Sequence, residues 1–345
     1  MPSADARAGR GSPTEVTYTP SVAATVSDID GAPHPHAVAF YDHDDDLVAQ
    51  VAGFVGDGLF DVEVVVVVAT GDHLAGLGAA LEAEGIDVDA ARDSGRYVTF
   101  DAAETLAHFD RDGVIDPATF ESLIGGILAD AGRSGLRVRV FGEMVALLWE
   151  RGAAAAAIRL EELWNELATR YDFALLCAYP VAFLDDGDLA AAASVCGQHS
   201  HLVAPASYLS PGAEATPTPD AVTAAFVPVP SAVRAARRFA TRTLGAWNDD
   251  DLIGDTSLIV SELATNAVLH ASSPFRLSMN RSASSLRITV EDATPVAPVP
   301  RHPPADEPGG RGLGIVDRLS ARWGTTVHDH GKVVWSEIDA GLARY

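Results

Sequence analysis

The chain is 345 residues long and 48% hydrophobic, enough to bury a large core and, by length, to form two domains. Its net charge of −24 with a single lysine, Lys332, argues against direct nucleic-acid binding, because phosphate contacts rely on clustered Lys and Arg. The longest apolar run, VVVVVA at 64–69, has the length of a strand and not of a membrane span, and the N-terminus lacks the apolar stretch of a secretory signal, so a cytoplasmic protein without membrane contact is expected.

Residues 1–35 read as a flexible leader. Between 36 and 205, β-rich runs alternate with helical ones. HAVAFY (36–41), VEVVVVVAT (62–70), GRYVTF (95–100), RVRVFG (137–142) and FALLCAYP (173–180) are expected strands, with helices at 45–60, 116–135 and 153–171. Continuous apolar strands separated by helices predict a parallel sheet covered on both faces. The acidic run Asp42 to Asp46 suits a helix N-terminus, where the dipole favours negative charge. Glu161, Glu162 and Asn165 read as a solvated helix face, and Cys177 and Cys196 as packing residues. His199 and His201 alternate as on an extended segment, a pair without the third ligand that a metal site needs.

Residues 206–230 are rich in Pro, Ala, Thr and Ser, show no apolar period and read as a linker. From 231 the order changes. SAVRAARRFATRTLGAW (231–247), capped by Ser231, and DDLIGDTSLIVSELATNAVLHA (250–271) are expected helices. Strands follow at 275–281 and 285–292, then a Pro-rich loop (293–308), a glycine-rich helix start (309–324) and closing strands at 325–329 and 331–338. Helices on one face of a mixed sheet give an α/β sandwich over 231–345. Charge supports the division: residues 226–345 carry 13 basic and 13 acidic side chains, so the acidic excess belongs to the first 225.

Three pieces of this second unit carry chemistry. In the 250–271 helix the apolar stripe Leu258, Ile259, Leu263, Ala267 and Val268 leaves Glu262, Asn266 and His270 at i, i+4, i+8 along one edge. Asp292 ends a strand whose Leu286, Ile288 and Val290 alternate inward. In GGRGLG, Gly310, Gly312 and Gly314 let backbone amides approach an anion at a helix N-terminus, and Arg311 adds a fixed positive charge. Phosphoryl transfer requires a metal on the phosphates, donors on their oxygens and a base for the nucleophile, and these residue types supply all three.

In this order ELATNA, EDATP and GGRGLG resemble the N-box, the first glycine box and the ATP-lid box of the GHKL superfamily, shared by histidine kinases, gyrase-type ATPases and anti-sigma-factor serine kinases. SELATNAVLHA and GRGLGIVDRLSARWG look most like the anti-sigma regulatory branch. The resemblance covers 226–340 and implies a Bergerat-type sandwich that binds ATP and Mg2+. It implies that Asn266 coordinates the Mg2+, that Asp292 accepts from the adenine amino group, and that Glu262 is the general base. The lid segment Gly310, Arg311, Gly312, Leu313 and Gly314 then covers the phosphates, and His270 meets a phosphate or caps the pocket. Two departures stand out: Thr294 and Pro295 follow Asp292 where the family usually continues Asp-x-Gly-x-Gly, and Val333 stands where relatives often place a Thr.

HAVAFYDHDDDLVAQVAGFV, GRYVTFDAAETL, FGEMVALLWERG, AIRLEELWNELA and LLCAYP resemble the MEDS sensory domain of bacterial regulators, named for methanogens and methylotrophs and similar to RecA-like three-layer α/β domains. VVVVVAT is followed by Gly71, Asp72 and His73 with no phosphate-binding lysine, so nucleotide hydrolysis is not expected here. Tyr41, Glu143, Trp149 and Tyr179 fall toward the carboxyl edge of the sheet, where open α/β sheets bind ligands, and form a candidate pocket for a small-molecule signal.

The combined expectation is an α/β protein in which a sensory domain (36–205) gates a kinase-like domain (231–345) of the anti-sigma serine/threonine type. The resemblance implies as partners an anti-anti-sigma protein of the STAS type and a sigma factor, and it allows a homodimer. Two other readings stand beside it: an ATP-fold binding module that transfers nothing, and a sensor histidine kinase. The last needs a phosphoacceptor His on a helix before the ATP domain, and residues 206–269 contain no His.

Overall fold

The computed structural model describes residues 21–23, 35–184, 188–208, 220–282, 284–298 and 312–339. Among these, seven parallel strands form the N-terminal sheet in the order Ser21–Ala23, His201–Val203, His36–Tyr41, Ala174–Pro180, Val138–Gly142, Val64–Ala69, Tyr97–Asp101. The central strands are largely apolar because both faces are covered, and every residue of His36–Tyr41 and Val64–Ala69 is buried. One face packs under Asp44–Phe60 and Gly71–Ala83 through Leu47, Phe54, Leu77 and Leu81. The other packs under Pro117–Ala131, Met144–Glu150, Ala154–Ala168 and Leu189–Gln198, through Phe120, Leu148, Leu160, Trp164 and Val195. Asp44, Asp45 and Asp46 fill the first turn of their helix, as the dipole argument requires. Arg139 is buried in this unit, ion-paired with Glu63 and 5.3 Å from the Phe54 ring centre.

Two expectations for this unit change. Ser21–Ala23, inside the presumed leader, pairs in parallel with His201–Val203 as the edge strand; residues 1–20 and 24–34 lie outside the described residues. Glu161 is not solvated but fully buried, because it follows Ala157 by four positions and precedes Trp164 by three on the core stripe of its helix. Asn165 is half-buried and hydrogen-bonded, and Glu162 remains near the surface with Arg159.

The C-terminal sheet has five strands in the order Ala221–Phe226, Phe275–Arg281, Ser285–Asp292, Gly331–Asp339, Arg322–His328. Every pairing is antiparallel, where a mixed sheet was expected, since hairpins supply two of the pairs. The edge strand Ala221–Phe226 falls inside the presumed linker; its exposed half and small side chains leave a weak apolar pattern. The first helix, Pro230–Trp247, is capped two residues before the expected Ser231, with Val229 at the cap and Pro230 in the first turn, where its missing N–H costs nothing.

This helix and Ile253–Asn266 cover the sheet face formed by Leu277, Met279, Leu286, Ile288, Val290, Val334 and Ile338. The buried stripe of Ile253–Asn266 is Thr256, Ile259, Val260, Leu263 and Ala264, continued by Ala267 and Val268. Leu258, expected inside, is 50% exposed, since two residues from both Thr256 and Val260 is the far side of a helix. By length and mean hydropathy (1.2) the stretch Asp250–Ala271 is long and apolar enough to cross a membrane; here its stripe seats on the sheet. The two units touch: Tyr208 Oη accepts from the Val227 N–H at 2.9 Å, Phe226 lies against the Tyr208 and Phe275 rings, and Arg276 donates to the Leu184 carbonyl at 3.2 Å.

Candidate functional site

Strand alternation aims Leu286, Ile288 and Val290 at the helices, and Asp292 continues that parity, so its carboxylate enters the covered side and is 3% exposed. The antiparallel register sets Lys332 opposite Asp292, with Nζ 2.8 Å from Oδ1. The same oxygen accepts the Thr294 N–H at 2.9 Å. Thr294 Oγ1 donates to the Ala271 carbonyl (3.2 Å) and Ser273 Oγ accepts the Ala293 N–H (3.1 Å), which ties the strand end to the helix end. Asp292 Oδ2 keeps acceptor capacity, because a carboxylate offers about four lone-pair sites. Lys332 was not among the expected site residues. Its parity with Val334, Ser336 and Ile338, and its being the sole lysine, were the available signals.

Glu262 and Asn266 lie one turn apart on the helix, both half-buried. Gly312, which opens the helix Gly312–Leu319, comes so close that a Cβ there would collide with Glu262 Oε2. Glycine is what lets this backbone reach the carboxylate. Burial raises the Glu262 carboxyl above its usual range, which improves it as a proton acceptor at neutral pH. The Asn266 amide makes no hydrogen bond to another described residue.

After Asn266 the helix widens into a π turn, Ala267–Ala271, in which residues five apart stack instead of four. His270 lies within this turn and is exposed. Leu313 is buried and Gly314 half-buried in the lid helix; Gly310 and Arg311 lie outside the described residues. The donor set suits ATP with Mg2+. An uncommitted amide oxygen serves a hard cation, a glycine opens backbone beside a carboxylate base, and a buried strand-end carboxylate offers a free acceptor.

In the N-terminal unit the four candidate pocket residues form two pairs on opposite faces of the sheet. Tyr41 and Glu143 lie under the first two helices: Glu143 Oε2 is 2.7 Å from His73 Nδ1, Oε1 accepts the Thr70 N–H, and His73 Nε2 is 3.6 Å from Asp44 Oδ1. The hydrogen bond that His73 donates to Glu143 holds the imidazole above its ordinary value; burial opposes this, and Asp44 adds to it. Trp149 and Tyr179 lie on the other face, Trp149 packing edge-on to Tyr179 and Phe183. The strand register explains the split, for Tyr179 pairs with Phe40 and not with Tyr41, and consecutive strand residues face opposite ways.

Residues 35–195 match the family model of the MEthanogen/methylotroph, DcmR Sensory domain (MEDS). Residues 226–337 match that of the Histidine kinase-like ATPase domain. A comparison with curated proteins finds no match. The chain thus carries a MEDS sensory domain followed by a histidine kinase-like ATPase domain of the GHKL type, the make-up of a regulatory ATP-binding protein.

Proposed function

We propose that this protein is a serine/threonine kinase of the anti-sigma type, gated by its sensory domain. Its phosphoryl acceptor is a small anti-anti-sigma protein of the STAS type, and a sigma factor is the second partner. The reading includes a cytoplasmic location and a homodimer built on the ATPase domain. The observation that carries it is the packing of Glu262 against Gly312, one helical turn before Asn266. Glu262 and Asn266 share one helix edge and the Gly312 backbone lies against it, which supports reading the three as base, metal ligand and lid.

Mg2+-ATP, when bound, supplies the transferable phosphoryl group and the cation that offsets its charge. The Asn266 amide oxygen would hold the cation, Asp292 Oδ2 would accept from the adenine amino group, and the Gly312 backbone would offer its amides to the phosphates. Glu262 takes the proton from the attacking hydroxyl, assisted by the burial that strengthens it as a base. The contacts at Tyr208, Phe226 and Arg276 supply a path by which the sensory unit bears on this site.

The test is incubation with labelled ATP, Mg2+ and candidate STAS-type partners. Label is expected on a partner Ser or Thr, with the rate reduced by about 10²- to 10⁴-fold in Glu262→Ala; transfer at an unchanged rate in that variant would refute the role of Glu262. Tight nucleotide binding without transfer to any partner would instead select a non-catalytic binding module.

A further inference from the structure

The N-terminal unit buries a second constellation that the nucleotide chemistry does not use. His36 from a central strand, Glu161 from the Ala154–Ala168 helix, Cys177 from the adjoining strand and His199 at the end of Leu189–Gln198 each direct one ligand atom to a common region, all within 4.8 Å of one another. All four are between 0% and 5% exposed. His36 Nε2, Glu161 Oε2 and Cys177 Sγ form a triangle with edges of 3.2, 3.3 and 3.4 Å. Bonds of about 2.0–2.3 Å around a tetrahedral zinc ion separate its ligand atoms by roughly 3.3–3.8 Å, so these three already have nearly the spacing of one tetrahedral face. His199 Nε2 approaches the other carboxylate oxygen, Glu161 Oε1, at 3.5 Å.

The rings are oriented from outside. Asn165 Nδ2 donates to the backbone and side-chain oxygens of Gln198, each at 3.0 Å, so its Oδ1 faces His36 Nδ1 at 2.9 Å and that nitrogen carries the proton. His199 Nδ1 donates to the Val195 carbonyl at 2.7 Å. Both imidazoles therefore turn an unprotonated Nε2 inward, toward a carboxylate and a sulfur. His199 Nε2 is buried with no hydrogen-bond partner among the described residues. The Cys177 thiol and the Tyr179 hydroxyl donate to Glu161, but neither imidazole Nε2 receives a hydrogen, and a cation among these acceptors would offset their repulsion. Rings pinned through Nδ1–H by an oxygen acceptor are the arrangement that metal-ligating histidines use.

We propose that His36, Glu161, Cys177 and His199 bind one zinc(II) ion, or a divalent first-row ion of the same mixed nitrogen, sulfur and oxygen preference. A dication with one thiolate and one carboxylate sums to a neutral centre, which suits full burial. On loading, the Cys177 thiol releases its proton to solvent and the sulfur forms the metal bond. Four protein ligands leave no open position, so the ion joins segments and performs no chemistry. It ties two central strands and two helices to the segment that leads, through His201–Val203, to Tyr208 at the ATPase unit.

The test uses the full chain expressed with zinc or with cobalt supplementation. About one metal equivalent per chain is expected, and the cobalt form should show a thiolate-to-metal charge-transfer band. Cys177→Ser should remove the band and His199→Gln should lower the metal content, whereas Cys196→Ala, outside the cluster, should keep both. If Cys177→Ser fails to fold, the wild-type cobalt spectrum decides alone. Folded wild-type protein with less than about a tenth of an equivalent, or a cobalt form without the thiolate band, overturns the site and leaves a metal-free hydrogen-bonded cluster.

Discussion

Glu161 and Glu262 both sit on helices packed against a sheet, yet their surroundings differ. Glu161 lies under a parallel sheet covered on both faces; it is fully buried and its oxygens face Tyr179, Cys177 and two imidazoles. Glu262 lies at the margin of a one-sided sandwich, half-buried, beside the backbone of Gly312. A sheet closed on both sides shuts its polar groups away from any macromolecular substrate, so they act on the fold. A one-sided sandwich leaves a helix edge open, so the same residue type can meet a ligand.

That contrast breaks if carboxylates of the two units respond alike to mutation. The largest effect is expected at the closed unit. Glu63→Ala should cost up to about 3–5 kcal/mol in denaturant unfolding, because it removes the nearest carboxylate from the buried Arg139 and leaves Asp61 at 4.0 Å; a loss under 1 kcal/mol would contradict the buried pair. At the open unit Asn266→Ala should weaken Mg2+-dependent ATP binding by roughly 10- to 100-fold in calorimetry, with the circular dichroism unchanged. Equal affinity in variant and wild type would remove Asn266 from the site. Gly312→Ala sharpens the comparison. The Cβ meets the end of a flexible side chain, so stability should change by less than about 1 kcal/mol while phosphoryl transfer falls, and a loss of stability with transfer intact would reverse the assignment.

The smallest effect is a pH dependence at the sensory unit. His73 is held above its unfolded value, so the stabilisation from Glu143 and Asp44 is fully present below about pH 6.5 and fades as pH rises through the higher folded value. Comparing unfolding midpoints of wild type and His73→Gln from pH 5 to pH 9 should show a difference that shrinks with rising pH. A difference that grows with pH would mean the imidazole is neutral throughout.

The strand and helix periods were legible where one residue type repeats. HAVAFY is a strand at the expected positions, and so are the runs at 275–281 and 285–292. The shared helix edge of Glu262 and Asn266 and the inward parity of Asp292 were legible from phase, whereas their roles came from the resemblance alone. The edge strand Ala221–Phe226 was not, because an edge needs little apolar surface. The widening of the last turn at Ala267–Ala271 was not legible, because nothing in the local spacing announces it. Glu161 was misplaced because a charged residue on a core stripe looks like surface until its partners are known.

Period and composition thus determined most of the helices and central strands, because those elements depend on neighbours a few positions away. Only the tertiary structure decided that Lys332 meets Asp292 and that His36, Glu161, Cys177 and His199 converge. Strand order and register bring together residues far apart in the chain, and no local pattern encodes which strand will lie beside which.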